Sequence, residues 1–563
     1  MRRLSWIGIL LLLCAALPPL SAQTLVNPGF EQAYPPVAPT ADTAPDAAKI
    51  TGSIAPGWSD NTGWAKDVAL DYGPETTNPY SGTVCQRITV TKGFAQFTQG
   101  IQFPAGSVRA SIWVRAQLAQ WISLNMRQAG PPYTFYGSAL VKVGPLWTKV
   151  TVDALVPIIA GGLYFSTTLP GTVWLDDAAL SPIKTRSPRL APPAGAIPRA
   201  FFGLNINHMH DPPGYDWPVM DFGAFRTWDS GDIWPEIETA RGVYDWTKLD
   251  KDVAQAETHH TQFLFTLGGT PRWATSAPET TRSYVGFTVV PDSIQDWKDF
   301  LRAVATRYKG LIGAYEVWNE PDLSIFYTGT TAQIVVLEHA AAEVIHQTDP
   351  AALLLPPSSS GGAGAGQLRF LEEYFAAGGG QSADVLAYHG YAYPAEGEIP
   401  SLARFRALAA TAGLGSKPVW DTETGTDLAG ASEADTAAYV SRALILGWAL
   451  GCSRTYLYAY DGSFTGLDAS TADPKKRDPS HLGSSGAAYV QTMGWLNGAT
   501  MLSCASDTQG VWICAVRRPG GAPAWIVWNP SGPRRFTPPA KWRVPPPPGG
   551  TLAIGPQPVL VTH

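Results

Sequence analysis

Two glutamates in this chain occupy positions from which a carboxyl group can do chemistry. The first closes Tyr315-Glu316-Val317-Trp318-Asn319-Glu320-Pro321-Asp322, a short apolar and aromatic run that reads as a buried strand. Pro321 cannot continue a hydrogen-bonded ladder, so the Glu320 carboxyl is aimed off a strand tip. The second lies in Lys417-Pro418-Val419-Trp420-Asp421-Thr422-Glu423-Thr424-Gly425, where proline, apolar residues, an acid and a glycine turn repeat the design. Cleavage of a glycosidic bond needs two such groups. One must stay protonated to serve the leaving oxygen, and the other must stay ionised to attack or to activate water. A single glutamate of this kind more simply caps a helix start; a matched pair with these flanks fits catalysis.

Other residues gather around that chemistry. His389 and Tyr391, in Tyr388-His389-Gly390-Tyr391, are two apart and face one side of an extended chain. Arg226, in Phe225-Arg226-Thr227-Trp228, is a cation on a strand end, placed to keep Glu423 ionised. Trp228, Trp273 and Tyr460 offer flat faces for a sugar subsite, and His208 and His210 are further subsite candidates. No Cys/His cluster has zinc spacing and no glycine loop suits a phosphate, so neither metal nor cofactor is expected.

Elements able to hold these residues are visible from Ala200 onward, where apolar strands alternate with helices. Strand ends fall at Asn205-Ile206-Asn207, Phe225–Trp228, Phe263–Gly269, Val317–Glu320, Leu353–Pro356, Leu386–His389, Val419–Glu423 and Tyr456–Tyr460. Eight such units predict an α/β fold, a (β/α)8 barrel over 200–497 closed by a helix at Gly486–Leu496. Active sites of such barrels lie on the loops after the strands, where both glutamates fall.

Before the barrel, 23–180 shows short alternating runs such as Ala110–Arg115 and Trp147–Val152, separated by turn residues, which predicts a β-sandwich. Its candidate ligand aromatics are Trp58, Trp64, Trp121, Tyr133 and Tyr136. A Pro-rich stretch at 181–199 reads as a semi-rigid linker, and 498–563 reads as a small C-terminal β-domain. There Cys504 and Cys514 flank a hairpin turn and are the expected disulfide. The opening, Met1-Arg2-Arg3 followed by apolar Ile7–Leu17 and small residues to Ala22, predicts a signal peptide over 1–22 and a secreted protein. That apolar run is too short to span a bilayer, so no membrane association is expected after cleavage.

The formal charge of −6 comes with no long basic run, which argues against nucleic acid. The 21 Trp and 21 Tyr favour a neutral polysaccharide or oligosaccharide partner, because aromatic faces stack on sugar rings.

Trp-Asn-Glu-Pro at 318–321, Asp-Thr-Glu-Thr-Gly at 421–425 and Leu-Gly-Gly-Thr-Pro-Arg-Trp-Ala at 267–274 resemble glycoside hydrolase family 39, within the clan of retaining (β/α)8 enzymes. The resemblance spans about Phe202 to Leu496. It implies that Glu320 is the acid/base and Glu423 the nucleophile of a double displacement. It further implies that Asn319 binds the sugar 2-hydroxyl, that Tyr391 orients Glu423, and that His389 binds sugar or the acid/base. Relatives in that family include β-xylosidases, enzymes acting on arabinose-containing side chains and exopolysaccharide hydrolases. Many carry a Trp at the end of strand 8, where this chain offers Tyr460-Asp461. The ends of the β-sandwich, Leu25–Glu31 and Thr172–Leu180, resemble jelly-roll carbohydrate-binding modules whose first and last strands meet. The competing readings are a glycan-binding protein on a dead barrel, which predicts loss of a catalytic Glu, and an inverting hydrolase or transglycosylase on the same scaffold.

Overall fold

The computed structural model describes residues 25–38, 44, 46–103, 106–130, 135–156, 159–167, 169–183, 189–211, 215–277, 288–361, 365–426, 432–462, 465–469, 478–542 and 550–562. The expected signal segment 1–22 and the candidate aromatic Tyr133 lie outside them.

Eight parallel strands form the central sheet: β1 (Phe202–Asn205), β2 (Ala224–Thr227), β3 (Gln262–Leu267), β4 (Ala314–Val317), β5 (Leu353–Leu355), β6 (Leu386–His389), β7 (Val419–Thr424) and β8 (Cys452–Leu457). Their order, β5-β4-β3-β2-β1-β8-β7-β6, wraps them into a nearly closed barrel. The one seam lies between β5 and β6, where the Asp384 N–H donates to the Leu354 carbonyl at 2.8 Å just before β6 begins. Among the described residues, seven helices of twelve residues or more cover the strands: α1 (Thr247–Thr258), α2 (Ile294–Arg307), α3 (Thr331–Thr348), α4 (Ala365–Ala376), α5 (Glu398–Thr411), α6 (Glu433–Ala449) and α7 (Ser484–Leu496). No helix among the described residues is long and apolar enough to cross a membrane.

Strand alternation fills the barrel interior in layers. Ala224, Leu264, Ala314, Leu355, Ala387, Trp420 and Tyr456 form an apolar cluster. Two residues further along β2, β3, β4 and β7, the same alternation brings Arg226, Thr266, Glu316 and Thr422 together in a buried polar layer. An apolar floor with a charged layer above it directs the barrel's chemistry toward the C-terminal ends of the strands.

The N-terminal part is a sandwich of a six-stranded and a five-stranded sheet. Among the described residues, its first and last strands do not pair. Instead, the Pro28 carbonyl accepts from the Ala178 N–H at 2.9 Å, so the Asn-Pro-Gly turn itself clasps the last strand. Trp58 is a core residue stacked between Phe30 and Phe97, with ring centroids 5.1 Å from each, and is unavailable to a ligand. Trp121 donates to Glu372 of α4 and so faces the barrel. Tyr136 is half-buried beside Phe103, and Trp64 stays exposed.

The proline-rich stretch is not a free spacer where it is described. Ser181 and Pro182 end the last sandwich strand, and Arg189–Leu190 adds a strand to the C-terminal sheet. In that sheet Cys504 and Cys514 face each other across neighbouring antiparallel strands and form the expected disulfide.

Candidate active site

Backbone shape places the first glutamate. After β4 the chain adopts left-handed conformations at Trp318 (φ 63°) and Glu320 (φ 42°), which side-chain-bearing residues rarely hold without support. Trp318 supplies part of that support: it is fully buried, with its indole N–H on the Phe326 carbonyl at 3.0 Å. The Glu320 N–H donates to the Ser358 carbonyl at 2.9 Å, tying the turn to the segment after β5. The Glu423 side chain leaves β7 toward the same space. One oxygen from each carboxyl, together with a ring nitrogen of His389, lies within 4.8 Å of the others.

Arg226 is the hub beneath them. It is fully buried and donates to Glu423 Oε1 at 2.5 Å, Glu316 Oε2 at 2.5 Å, Asn319 Oδ1 at 2.7 Å and Asn205 Oδ1 at 3.0 Å. One guanidinium thus binds groups from β1, β4 and β7 and from the turn after β4. Tyr391 Oη donates to Glu423 Oε2 at 2.8 Å. His389 Nδ1 lies 2.8 Å from Glu320 Oε1 and 3.5 Å from Glu423 Oε2, so the imidazole bridges the pair.

These partners separate the two carboxyls in proton affinity. Burial pushes Glu320 above the usual carboxylate range; the His389 hydrogen bond opposes this, and the charges of Glu423 and Asp322 add to it. Burial would also raise Glu423, yet His389, Arg226 and Tyr391 together outweigh it and hold Glu423 below that range. Burial would lower His389, but the two carboxylates raise it, which favours an imidazolium between them.

Among the described residues, Glu320, His389 and Glu423 are the one set of side chains close enough to share a metal ion. Their facing atoms already bond one another, and the Arg226 guanidinium occupies the place beside Glu423 where a cation would act. The donor set therefore suits proton transfer.

The remaining candidates separate clearly. Asn319, Arg226, His389 and Tyr391 join the two glutamates. Tyr460 does not: it is fully buried, with Oη donating to the Pro479 carbonyl at 2.7 Å and accepting from the Val219 N–H at 3.2 Å, so it cannot wall a subsite. The reason is that the chain folds under the loop after β1, where the Tyr460 N–H reaches the Asn205 carbonyl. His208 pairs with Asp211 at 2.8 Å and His210 with buried Asp252 at 2.8 Å, not with the glutamates. Trp228 is buried, edge-on to Phe326. Trp273 is half-buried, with its indole N–H on the Glu238 carbonyl and Arg241 over its ring.

Three residues unremarked in the sequence belong to the site. Glu316 holds the far side of Arg226, and Asp421 accepts from the Gly390 N–H at 2.9 Å. Half-buried Tyr458, at the end of β8, donates to Asp229. An acid inside an apolar strand demands a partner, so Glu316 was the readable signal among them; Tyr458 and Asp229 become partners only through the barrel's closure.

No protein-family model matches the chain, and no curated protein matches it. Its fold is that of solved glycoside hydrolases. A family 39 glycoside hydrolase from the gut symbiont Bacteroides cellulosilyticus aligns with a TM-score of 0.50 at 15% identity, over 78% of this chain and 94% of that one. A family 39 β-xylosidase from Caulobacter crescentus gives 0.47 at 19% identity, over 61% and 81%. A family 39 enzyme from Xanthomonas axonopodis pv. citri gives 0.45 at 18% identity, over 60% and 73%.

Proposed function

We propose that this chain is a glycoside hydrolase acting with retention on plant or microbial polysaccharide, with Glu423 as nucleophile and Glu320 as acid/base. One observation carries the reading: two carboxyl groups approach within 4.8 Å while their surroundings drive one toward the acid and the other toward the anion. Retaining pairs stand about 5–5.5 Å apart, whereas inverting pairs leave roughly 6.5–9.5 Å for a water. The close approach supports direct attack.

Glu423 attacks the anomeric carbon as the glycosidic C–O bond breaks, and Glu320 passes its proton to the departing oxygen. Glu320, now a carboxylate, then takes a proton from water, which displaces Glu423 and restores both groups. Because Arg226 donates to Asn319 Oδ1, that amide is left to present its NH2 to a sugar hydroxyl. The presence of both acids argues against a dead barrel. The basic, apolar and small-residue opening of the chain supports export, which amino-terminal sequencing of the mature protein would test.

Aryl xylosides, arabinosides and glucosides, together with exopolysaccharides, form the assay panel, with the first-formed anomer followed by NMR. Glu423→Gln is expected to lose nearly all activity on every substrate. Glu320→Gln is expected to spare substrates with an activated leaving group, with azide restoring turnover. Inverted product, or equal inactivity of both variants on an activated glycoside with no azide rescue, overturns the assignment.

A further inference from the structure

We propose that Asp421 is a positioning residue whose carboxyl group fixes the Gly390 peptide and thereby sets His389 and Tyr391 against the two carboxylates. The inference rests on the reading of Glu320 and Glu423 given above. Gly390 lies between the two residues that touch those groups, His389 on Glu320 and Tyr391 on Glu423. Its N–H is shared between Asp421 Oδ1 at 2.9 Å and the Glu423 carbonyl at 2.8 Å. A Cβ at position 390 would lie 2.4 Å from Asp421 Oδ2, so the carboxyl group packs directly on the glycine and leaves no room for a side chain. Thr424 Oγ1 closes the other side by donating to the Gly390 carbonyl at 3.3 Å. The β6–β7 register shifts between Tyr388 and His389, where a regular ladder would otherwise set the positions of these side chains. Asp421 acts at the point where the ladder stops doing so.

An aspartate suits this place because burial favours its uncharged form. Asp421 is fully buried, and its Oδ2 has no hydrogen-bond partner among the described residues. The groups around it are Glu398 from α5, Tyr388 from β6, Tyr439 from α6, Cys452 at the start of β8 and Glu423 on its own strand. The nearby cation, Arg406, acts on Glu398 and Cys452. Burial, then the charge of Glu398, drives Asp421 far above the carboxylate range, and burial lifts Glu398 itself to about 8. The clamp is a carboxyl group with one oxygen accepting from a peptide and burial favouring its protonated form.

The test uses the full chain. Histidine-selective NMR, with the His389 signal assigned by its loss in His389→Gln, follows the imidazole without any substrate. In Asp421→Ala the His389 titration is expected to move to lower pH, because the imidazole drifts from the carboxylates that raise it. Gly390→Ala, which attacks the same contact from the other side, should do likewise. Asp421→Asn, neutral and still able to accept, should titrate like the wild type. In kinetics, Asp421→Ala should lower kcat by roughly tenfold or more with little change in KM. It should also move the acidic limb of kcat/KM upward, since Glu423 loses the Tyr391 bond. A wild-type His389 titration in folded Asp421→Ala and Gly390→Ala, or Asn behaving like Ala, overturns the proposal. The NMR shift in a protein that hydrolyses no glycoside would uphold the positioning and overturn the hydrolase reading instead.

Discussion

Arg226 sets the charge balance of the site, and the sign of its effect can be checked from both sides. It lies between Glu316 and Glu423 and stabilises both anions. Arg226→Met should raise the Glu423 pKa and shift the acidic limb of kcat/KM to higher pH. It should also destabilise the fold by about 3–5 kcal/mol, since two buried carboxylates lose their cation. Glu316→Gln should shift the same limb to lower pH, because a negative charge near Glu423 disappears while the guanidinium stays; pH profiles of the two variants decide. With Glu320 as the proposed acid/base, the basic limb should vanish in Glu320→Gln on activated substrates. A limb that survives would assign the proton to His389. Both glutamates, with Asn319, Arg226, His389 and Tyr391, were legible in the sequence because each stands at a strand end, a local signal. Asp421 was not, since only the register between β6 and β7 brings it to Gly390. Tyr460 misled because β8 ends at Leu457, so the half-exposed residue just beyond it is Tyr458.

The strands of the barrel read well from sequence because unbroken apolar runs bounded by turn residues leave few alternatives. What they did not reveal was how the layers stack: the parity that puts Ala224 on the floor and Arg226 above it needs the closed sheet. Helices contribute by bracing the strand ends. α6 begins in a capping box, with Ser432 accepting from the Asp435 N–H and Asp435 accepting from the Ser432 N–H, and its Tyr439 hydroxyl lies 3.1 Å from Thr424 Oγ1 beside Glu423. Ser432→Ala should cost about 1 kcal/mol. The unfolding midpoint should fall by roughly 2–4 °C, while the pH profile stays in place. Movement of the profile would show that the cap reaches the chemistry through Tyr439.

The whole molecule is more interlocked than its sequence suggests, and the proline-rich stretch hid this because composition does not show that Arg189–Leu190 pairs with a distant strand. Leu140 of the sandwich is buried with the barrel's core cluster, and Lys142 pairs with Glu372 of α4 at 2.7 Å. Leu140→Asp would bury an unpaired charge there, and calorimetry should then resolve a separate, lower transition for the sandwich; an unchanged single transition would deny the contact a structural role. Both accessory parts also converge on the loop after β6. The strand Phe135–Val143 of the sandwich touches Ala395–Gly397, and Trp528 of the C-terminal sheet donates to Glu396 at 2.7 Å. That loop follows β6, which with β5 flanks the barrel's seam and is ladder-paired along a single flank, and which carries His389. The outlying β-domains therefore work as hoops around a cask with one open seam, and trimming either should loosen the board on which His389 is mounted.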